Sequence, residues 1–301
     1  MKYQQKKKIT IHNFALSFLE SLPDDILYSI LESTQLTANH LIQLLGTSSH
    51  LRRHLFSKKK NNYVLKHKKR ENICITGSNV KKSGRIISKF KGYILFSGRI
   101  SFDPLISDVS NLRDIHSLVI VKCPKITDVS ALGSVYALEL YYCKGIKDVS
   151  KLGSVQMLIL EYCKGITDVS NLGDVRTLRL DRCKGITDVS KLGTVHTLTL
   201  RYCGGITDVS KLGTVHTLTL IHCGGITDVS KLGTVHTLTL IHCDGITDVS
   251  NLGSVHTLTL DNCDGITDVS NLGSVHTLTL DNCVNIKDIS SLGSVHNLWL
   301  E

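Results

Sequence analysis

The chain has 301 residues, of which 42% are hydrophobic and 20% charged, so it is long enough to bury a core of its own. No apolar run reaches the length of a membrane-spanning helix, and the basic start Met1–Lys8 is not followed by the apolar core of a signal peptide. The net charge of +9 is uneven: residues 1–100 carry 19 lysines and arginines against 5 acidic residues, whereas residues 101–301 carry 16 against 21. This asymmetry divides the chain into a basic front and a mildly acidic remainder. Because no apolar run is long enough to span a membrane, we expect no membrane partner.

A basic tail at residues 1–13 precedes a segment, residues 14–56, that is predicted to be helical. Ser21–Asp24 has the features of a helix start, with a hydroxyl cap, an early proline and an acid in the first turn. A second helix is predicted between a capping Thr37 and a terminating Gly46. Because the segment is too short to be stable alone, we expect it to pack against something else.

The sequence of this segment resembles an F-box. The resemblance covers about 40 residues and lies in Leu22–Leu27, in His40–Leu45 and in Ser49–Arg53. In that family the motif docks on the small Skp-type adaptor of cullin–RING ubiquitin ligases. The adaptor contacts that the resemblance implies are Leu22, Pro23, Ile26, Leu27, Ile30 and Leu31. The alternative is that these apolar side chains cover the open end of the domain that follows.

Two basic runs, Lys58–Lys60 and Lys66–Arg70, lie in a predicted linker at residues 57–70. Such runs bind nucleic acid, act as nuclear localisation signals or form a solvated linker, and we favour the linker. Tyr63 is the only aromatic residue interleaved with these charges. Because bases stack on several aromatic rings in single-strand-binding proteins, we expect no nucleic-acid partner. Residues 71–102 contain strand-like stretches and are predicted to form an irregular cap.

A twenty-residue unit then repeats, and Val195–Thr214 is a clean copy. A fixed period of this length is typical of a solenoid, in which each repeat buries its apolar face against its neighbours. Leu198 and Leu200 alternate with threonines, which predicts a short strand that pairs in parallel with the strands of adjacent repeats. Ile206, Val209 and Leu212 are three residues apart and predict a 3₁₀-like turn, after which Gly213 is expected to allow a sharp return of the chain.

The pattern L-x-x-L-x-L-x-x-C-x-x-I in each unit resembles the cysteine-bearing leucine-rich repeats, over about residues 95–301. The resemblance implies an α/β leucine-rich-repeat solenoid with a parallel β-sheet on the concave side and 3₁₀ turns on the convex side. About ten repeats fill residues 103–301. The first repeat is degenerate, because Asp103 replaces the cysteine while Ile106, Asp108 and Val109 are kept. The strand side is expected to be the binding surface.

Nine of the ten cysteines occupy one repeat position. They are Cys123, Cys143, Cys163, Cys183, Cys203, Cys223, Cys243, Cys263 and Cys283. We interpret them as buried thiols in a reducing compartment, which indicates an intracellular protein of the cytoplasm or nucleus. No C-x-x-C pair is present in the repeats to close a tetrahedral site, so no metal and no other cofactor is expected.

Positions that vary between repeats show what packing does not dictate. The strand-end position and the residue after it change from repeat to repeat, and tyrosine and arginine, which anchor interfaces, cluster in the early repeats. The predicted partner-binding residues are Tyr141, Tyr142, Glu161, Tyr162, Arg179, Asp181, Arg182, Arg201 and Tyr202. The alternative is an ordinary solvated face. Charge also changes sign, from Lys144, Lys164 and Lys184 early to Asp244 and Asp264 late.

Two side-chain ladders recur in the later repeats. Histidine recurs from His196 to His296, and such a row binds metal, senses pH or merely reflects duplication, which is the interpretation we favour. Thr-x-Thr rows resemble the ice-binding face of some β-solenoid antifreeze proteins, but Asp261 and Asp281 interrupt the uncharged face that such a role requires.

No phosphate-binding glycine loop and no nucleophile–base set stands outside the repeated scaffold, so we expect no enzyme. The two resemblances, in this order, imply the substrate-recognition subunit of a Skp–cullin–F-box type ubiquitin ligase. Its front helices would dock on the adaptor, and its repeats would bind an unknown target protein. The alternative is a leucine-rich-repeat scaffold that binds a protein partner without any role in ubiquitin transfer.

Overall fold

The structure is a computed structural model that describes residues 69–76, 78–89 and 94–301. Three predicted features lie outside the described residues. They are the helices at residues 14–56, the implied adaptor contacts Leu22–Leu31 and nearly all of the basic linker. The chain divides into two compact units, one formed by residues 1–73 and 89–97 and the other by residues 74–88 and 98–301. In the part that the structure describes, no helix is long and apolar enough to cross a membrane.

The segment predicted to be an irregular cap contains two strands and a helix. Strand β1 is Lys69–Cys74, helix α1 is Val80–Lys89, and β2 is Ile94–Ser101. β1 therefore takes in the last two residues of the predicted linker. The helix was missed, because its interior Gly84 argues against a helix in the sequence. The Asn79 side chain accepts a hydrogen bond from the backbone N–H of Thr76 at 2.8 Å at the start of the helix.

Gly84 is buried because α1 packs closely against the turn of the first repeat. A Cβ atom at this position would overlap the carbonyl oxygen of Asn111. The glycine therefore weakens the isolated helix but permits its packing, and the tertiary contact decides the local structure. Tertiary packing of this kind is invisible to a local sequence pattern.

The repeats form one parallel sheet. Its strands are β3 Ser117–Val121, β4 Ala137–Tyr141, β5 Met157–Glu161, β6 Thr177–Asp181, β7 Thr197–Arg201, β8 Thr217–Ile221, β9 Thr237–Ile241, β10 Thr257–Asp261, β11 Thr277–Asp281 and β12 Asn297–Leu300. Each strand pairs with the next in a register offset of twenty residues, so that Leu198 lies opposite Leu178 and Leu218. This confirms the predicted leucine-rich-repeat solenoid.

The apolar residues of the repeating unit form the core. In the copy from Val195 to Thr214, the side chains of the leucines, Cys203, Ile206 and Val209 are no more than 1% exposed. Full burial of a leucine or isoleucine contributes about 1.5–3 kcal/mol each. Because nearly all repeats have the same core residues, each core position becomes a continuous column of identical or similar side chains along the solenoid.

The opposite side is made of tight turns, as the three-residue spacing predicts. The 3₁₀ helices are Ser110–Leu112, Ser130–Leu132, Ser150–Leu152, Ser170–Leu172, Ser250–Leu252, Ser270–Leu272 and Ser290–Ser294. The three repeats with the sequence Lys-Leu-Gly-Thr keep the same bond as a single turn, for example from the Leu212 N–H to the Val209 carbonyl at 2.9 Å. Before each turn an aspartate accepts the N–H of the serine two residues later, as Asp208 does from Ser210 at 2.8 Å.

The explanation predicted for the repeat glycine is wrong. Gly133 and Gly153 have ordinary right-handed helical conformations, with φ of −61° and −58°, so no unusual turn depends on them. A Cβ atom on Gly213 would instead overlap the carbonyl oxygen of Lys231 in the next repeat. Glycine at this position therefore permits close stacking of successive turns.

The cysteine column links neighbouring repeats. The Cys203 thiol donates to the carbonyl of Leu180 in the preceding strand and to the carbonyl of Arg201 in its own strand, both at 3.4 Å. All nine repeat cysteines are unpaired, and only Cys283 is partly exposed. Burial raises the pKa of the Cys203 thiol to about 11. Thiols in this state are poor nucleophiles at neutral pH.

We therefore expect thiol reagents to distinguish Cys283 from the other repeat cysteines. In native protein treated with iodoacetamide at pH 8, peptide mass spectrometry should find Cys283 alkylated first among the nine. The eight from Cys123 to Cys263 should react only after denaturation, because the folded chain both buries them and disfavours their thiolates. Rapid alkylation of Cys183 or Cys203 in the native protein would contradict the described core.

Candidate functional site

The outward face of the early strands carries large side chains. The residues between the two leucines of β4, β5 and β6 are Glu139, Ile159 and Arg179, and all three are half-buried on this face. In β7 to β11 the same position is always threonine. The strand alternation predicted from the sequence is confirmed. Up to β11 the variation at this position is confined to the first strands, and β12 has Trp299 there.

One prediction on this face is wrong. Asp181 was expected to be exposed at the end of β6, but its side chain is fully buried. The Arg179 Nη2 lies 2.8 Å from its carboxylate, the Arg182 Nη1 lies 3.1 Å away and the Arg201 Nη1 lies 3.4 Å away. Three guanidinium groups from β6, β7 and the residue after β6 therefore cover one carboxylate, which holds them in fixed positions.

The neighbouring acids on the face are also paired. The Tyr141 hydroxyl donates to the Glu139 carboxylate at 2.7 Å, and the Glu161 carboxylate lies 4.0 Å from Arg179. Burial, and next the hydrogen bond to Glu139, raise the pKa of Tyr141 to about 12. The tyrosine thus stays protonated at neutral pH and keeps its role as a donor.

The residue after each strand has an unusual backbone conformation. This rim column consists of Phe102, Lys122, Tyr142, Tyr162, Arg182, Tyr202, His222, His242, Asn262 and Asn282, all with positive φ between 49° and 57°. The left-handed conformation costs a residue other than glycine about 1–2 kcal/mol, with asparagine the best tolerated. Each N–H donates to the carbonyl oxygen of the residue nineteen positions later, as Tyr162 does to Asp181 at 2.9 Å.

The side chains of the rim column stack on one another. Lys122 lies 5.0 Å from the ring centroid of Phe102 and 5.1 Å from that of Tyr142. The Tyr142 and Tyr162 rings stack at 4.4 Å, and Arg182 lies between Tyr162 and Tyr202 at 5.1 Å and 4.0 Å. Tyr202, His222 and His242 continue the stack at 4.4 Å each. These contacts offset the backbone strain and fix the side chains in position.

The nine predicted partner-binding residues come together as one surface. We call it the β4–β7 patch and define it as Glu139, Tyr141, Tyr142, Glu161, Tyr162, Arg179, Asp181, Arg182, Arg201 and Tyr202. Eight of the nine contribute accessible side chains, and Asp181 lies beneath them. Sequence reasoning left out Glu139, although it occupies the same strand position as Arg179 and its carboxylate holds Tyr141.

A second column, of histidines, lies at the start of the strands. The centroids of adjacent rings from His196 to His296 lie 4.5–4.7 Å apart, and all of these side chains are exposed. The rings are stacked except for His256 and His276, whose planes are tilted by 37°. Partial desolvation, and next the charge of the neighbouring histidines, lower the pKa of His216. In the described residues no group of three or more histidine, cysteine, aspartate or glutamate side chains is arranged to hold a metal ion.

The chain is similar to known proteins only at the level of solved structures. No protein-family model and no curated sequence matches the chain. The functional domain of InlJ from Listeria monocytogenes, described as including a cysteine ladder, is 20% identical over 72% of this chain and 60% of that chain, with a TM-score of 0.42. The mouse RP105/MD-1 complex is 14% identical over 77% of this chain, with a TM-score of 0.47.

A leucine-rich-repeat protein from Leptospira interrogans is 14% identical over 76% of this chain, with a TM-score of 0.29. The chain spans only 60% and 45% of the lengths of the first two structures. The repeat fold described above therefore rests on the strands and register of this chain itself, and so do the functional proposals that follow.

Asp181 should be important for the stability of the patch. We expect Asp181→Asn to lower the free energy of unfolding by about 1–3 kcal/mol, because charged hydrogen bonds are lost and three guanidinium groups remain without their shared carboxylate. Urea unfolding followed by circular dichroism measures the change. A suitable control is Asp261→Asn, since Asp261 occupies the same strand position and its carboxylate accepts a bond from Asn262. An equal loss in both variants would contradict the proposed arrangement.

Proposed function

We propose that the chain is a protein-interaction scaffold that binds a protein partner through the β4–β7 patch. The observation that carries the proposal is that the early and late repeats have similar core residues but different outward-facing side chains. The β4–β7 patch presents tyrosine and arginine, the residue types that dominate the binding energy of interfaces. On the outward face of β8 and β9 the corresponding side chains are threonine and isoleucine.

The contacts within the patch favour this role. Arg182 is stacked between two tyrosine rings and bonded to Asp181, so its position is fixed before any partner arrives. Arg179 and Arg201 are likewise held by Asp181 while their side chains stay 38% and 35% exposed. A surface whose long side chains are already ordered loses less conformational entropy on binding.

Site-specific cross-linking tests the proposal. The photo-reactive residue p-benzoylphenylalanine would replace Tyr162 in the patch or, as the control, the exposed Ser170 on the turn side of the same repeat. Irradiation of cells that express either protein, followed by mass spectrometry, should give a defined protein adduct for position 162 and none of that adduct for position 170. Identical adducts from both positions, or none from position 162, would refute binding through the patch.

We propose further that the partner is the target of a ubiquitin ligase and that the chain is its substrate receptor. The support is the F-box-like sequence between Leu22 and Arg53, which precedes the repeats in the order expected of such receptors. The front would dock on a Skp-type adaptor of a cullin–RING ligase, and the patch would hold the target near the transferring enzyme. Catalysis would then arise from proximity alone.

Co-purification with a Skp-type adaptor tests this second proposal. The full chain should retain the adaptor, whereas a variant with Leu22→Ala, Pro23→Ala and Ile26→Asp should lose it, because the implied apolar contacts are removed. The variant Tyr162→Ala/Tyr202→Ala is the control and should retain it. If the folded wild-type chain fails to bind the adaptor, the chain is a scaffold without a role in ubiquitin transfer, and the front helices serve another purpose.

A further inference from the structure

The charge of the side chains changes along the solenoid at two nearby positions of the repeat. The first is the rim column, and the second lies two residues later in each repeat. Together they carry Lys122, Lys144, Lys164, Arg182 and Lys184 in the early repeats, then glycine at 204 and 224, then Asp244 and Asp264. Because the backbone repeats without change, this gradient arises from side chains alone. We call the five early cations the basic rim. In the repeats that contain them, neither of the two positions is acidic.

The four lysines of the basic rim are exposed and uncompensated. Among the residues that the structure describes, the ion pairs in this region join Arg179, Arg182 and Arg201 to Glu161 and Asp181. None of the lysines at 122, 144, 164 and 184 takes part in one. Glu161 and Asp181 are therefore paired with arginines, and the charge of the lysines stays available to a ligand.

We propose that the basic rim is the docking surface for an acidic segment of the protein partner. This inference rests on the proposed function and adds the chemistry of the partner to it. Lys144, Lys164 and Lys184 belong to consecutive repeats, so their Cα atoms are spaced by about 4.8 Å along the sheet. An extended peptide rises about 3.3 Å per residue, and about four residues therefore span the three lysines. Aspartate, glutamate or phosphorylated side chains in such a segment complement the rim.

The aromatic rings favour a peptide over a nucleic acid. Proteins that bind single strands without sequence preference offer free aromatic faces on which bases stack. In the rim column the faces of Tyr142 and Tyr162 cover each other at 4.4 Å, and Arg182 covers the next face. A long polyanion would also run into Asp244 and Asp264 after the last cation. A short acidic segment meets neither obstacle.

Fluorescence anisotropy with a defined probe tests the inference. The probe is a labelled eight-residue peptide of alternating glutamate and serine, and the same peptide with glutamine in place of glutamate is the uncharged probe. The protein is the full chain with Lys58, Lys59, Lys60, Lys66 and Lys68 changed to glutamine, which weakens the two basic runs of the linker as competing sites. We expect binding of the glutamate peptide alone, weakening as salt rises from 50 to 300 mM.

Two triple variants of that protein locate the site. Lys144→Asp/Lys164→Asp/Lys184→Asp reverses the basic rim, and Asp244 and Asp264 show that the repeat accepts aspartate there. Lys191→Asp/Lys211→Asp/Lys231→Asp makes the same change in net charge on the turns. The rim variant should bind the glutamate peptide about tenfold or more weakly, and the turn variant less than twofold. Equal losses would overturn the inference.

A thymidine octanucleotide with the same label decides the class of ligand. Tighter binding of the oligonucleotide than of the glutamate peptide, lost in the rim variant, would overturn the inference in favour of a nucleic-acid surface. The cross-linking of position 162 separates the two proposals. If that adduct forms but survives reversal of the basic rim, the scaffold function stands and the acidic-segment inference fails. If no adduct forms in any variant, the scaffold function itself fails.

Discussion

The whole solenoid depends on one hydrogen-bonding register, in which every strand pairs with the next at an offset of twenty residues. The pairing of Leu198 with Leu178 and Leu218 converts each sequence position into a column that runs through the molecule. Core columns of leucine, isoleucine and cysteine exclude water, because no repeat can bury its apolar side chains without two neighbours. A core residue therefore packs against the equivalent residues of the two adjacent repeats. Its contribution to stability depends on how well these side chains pack together.

The rim column shows how this constraint creates a surface. The left-handed backbone after each strand places one side chain directly against the next, at separations of 4.0–5.1 Å between rings and cations. Tyrosine and arginine stack well at this distance, whereas Asn262 and Asn282 suit the backbone without stacking. The early repeats thus hold an ordered and basic surface of tyrosine and arginine, and the central strand position of β7 to β11 is always threonine. The difference between them carries the functional proposals.

Much of the fold follows from the sequence, because the strand alternation, the three-residue spacing and the period are local patterns. Three of the misses have one cause. The packing role of Gly213, the helix around Gly84 and the burial of Asp181 depend on residues in neighbouring repeats or elements, which no local pattern shows. The patch was predicted from the variation between repeats, but the stacking of Arg182 between two tyrosines required the register in three dimensions.

Deletion of repeats measures how far the fold depends on register. Residues 211–230 and 231–250 differ only at Gly224 and Asp244, so removal of residues 211–230 joins Ser210 to Lys231 in an unchanged pattern. This chain should unfold cooperatively in urea, with the circular dichroism per residue of the full chain. Removal of residues 219–237, nineteen in all, joins Leu218 to Leu238 within one strand and should disrupt the sheet, because the core leucines on one side of the junction face outward on the other. Equal stability of the two deletions would contradict the dependence of the structure on its twenty-residue register.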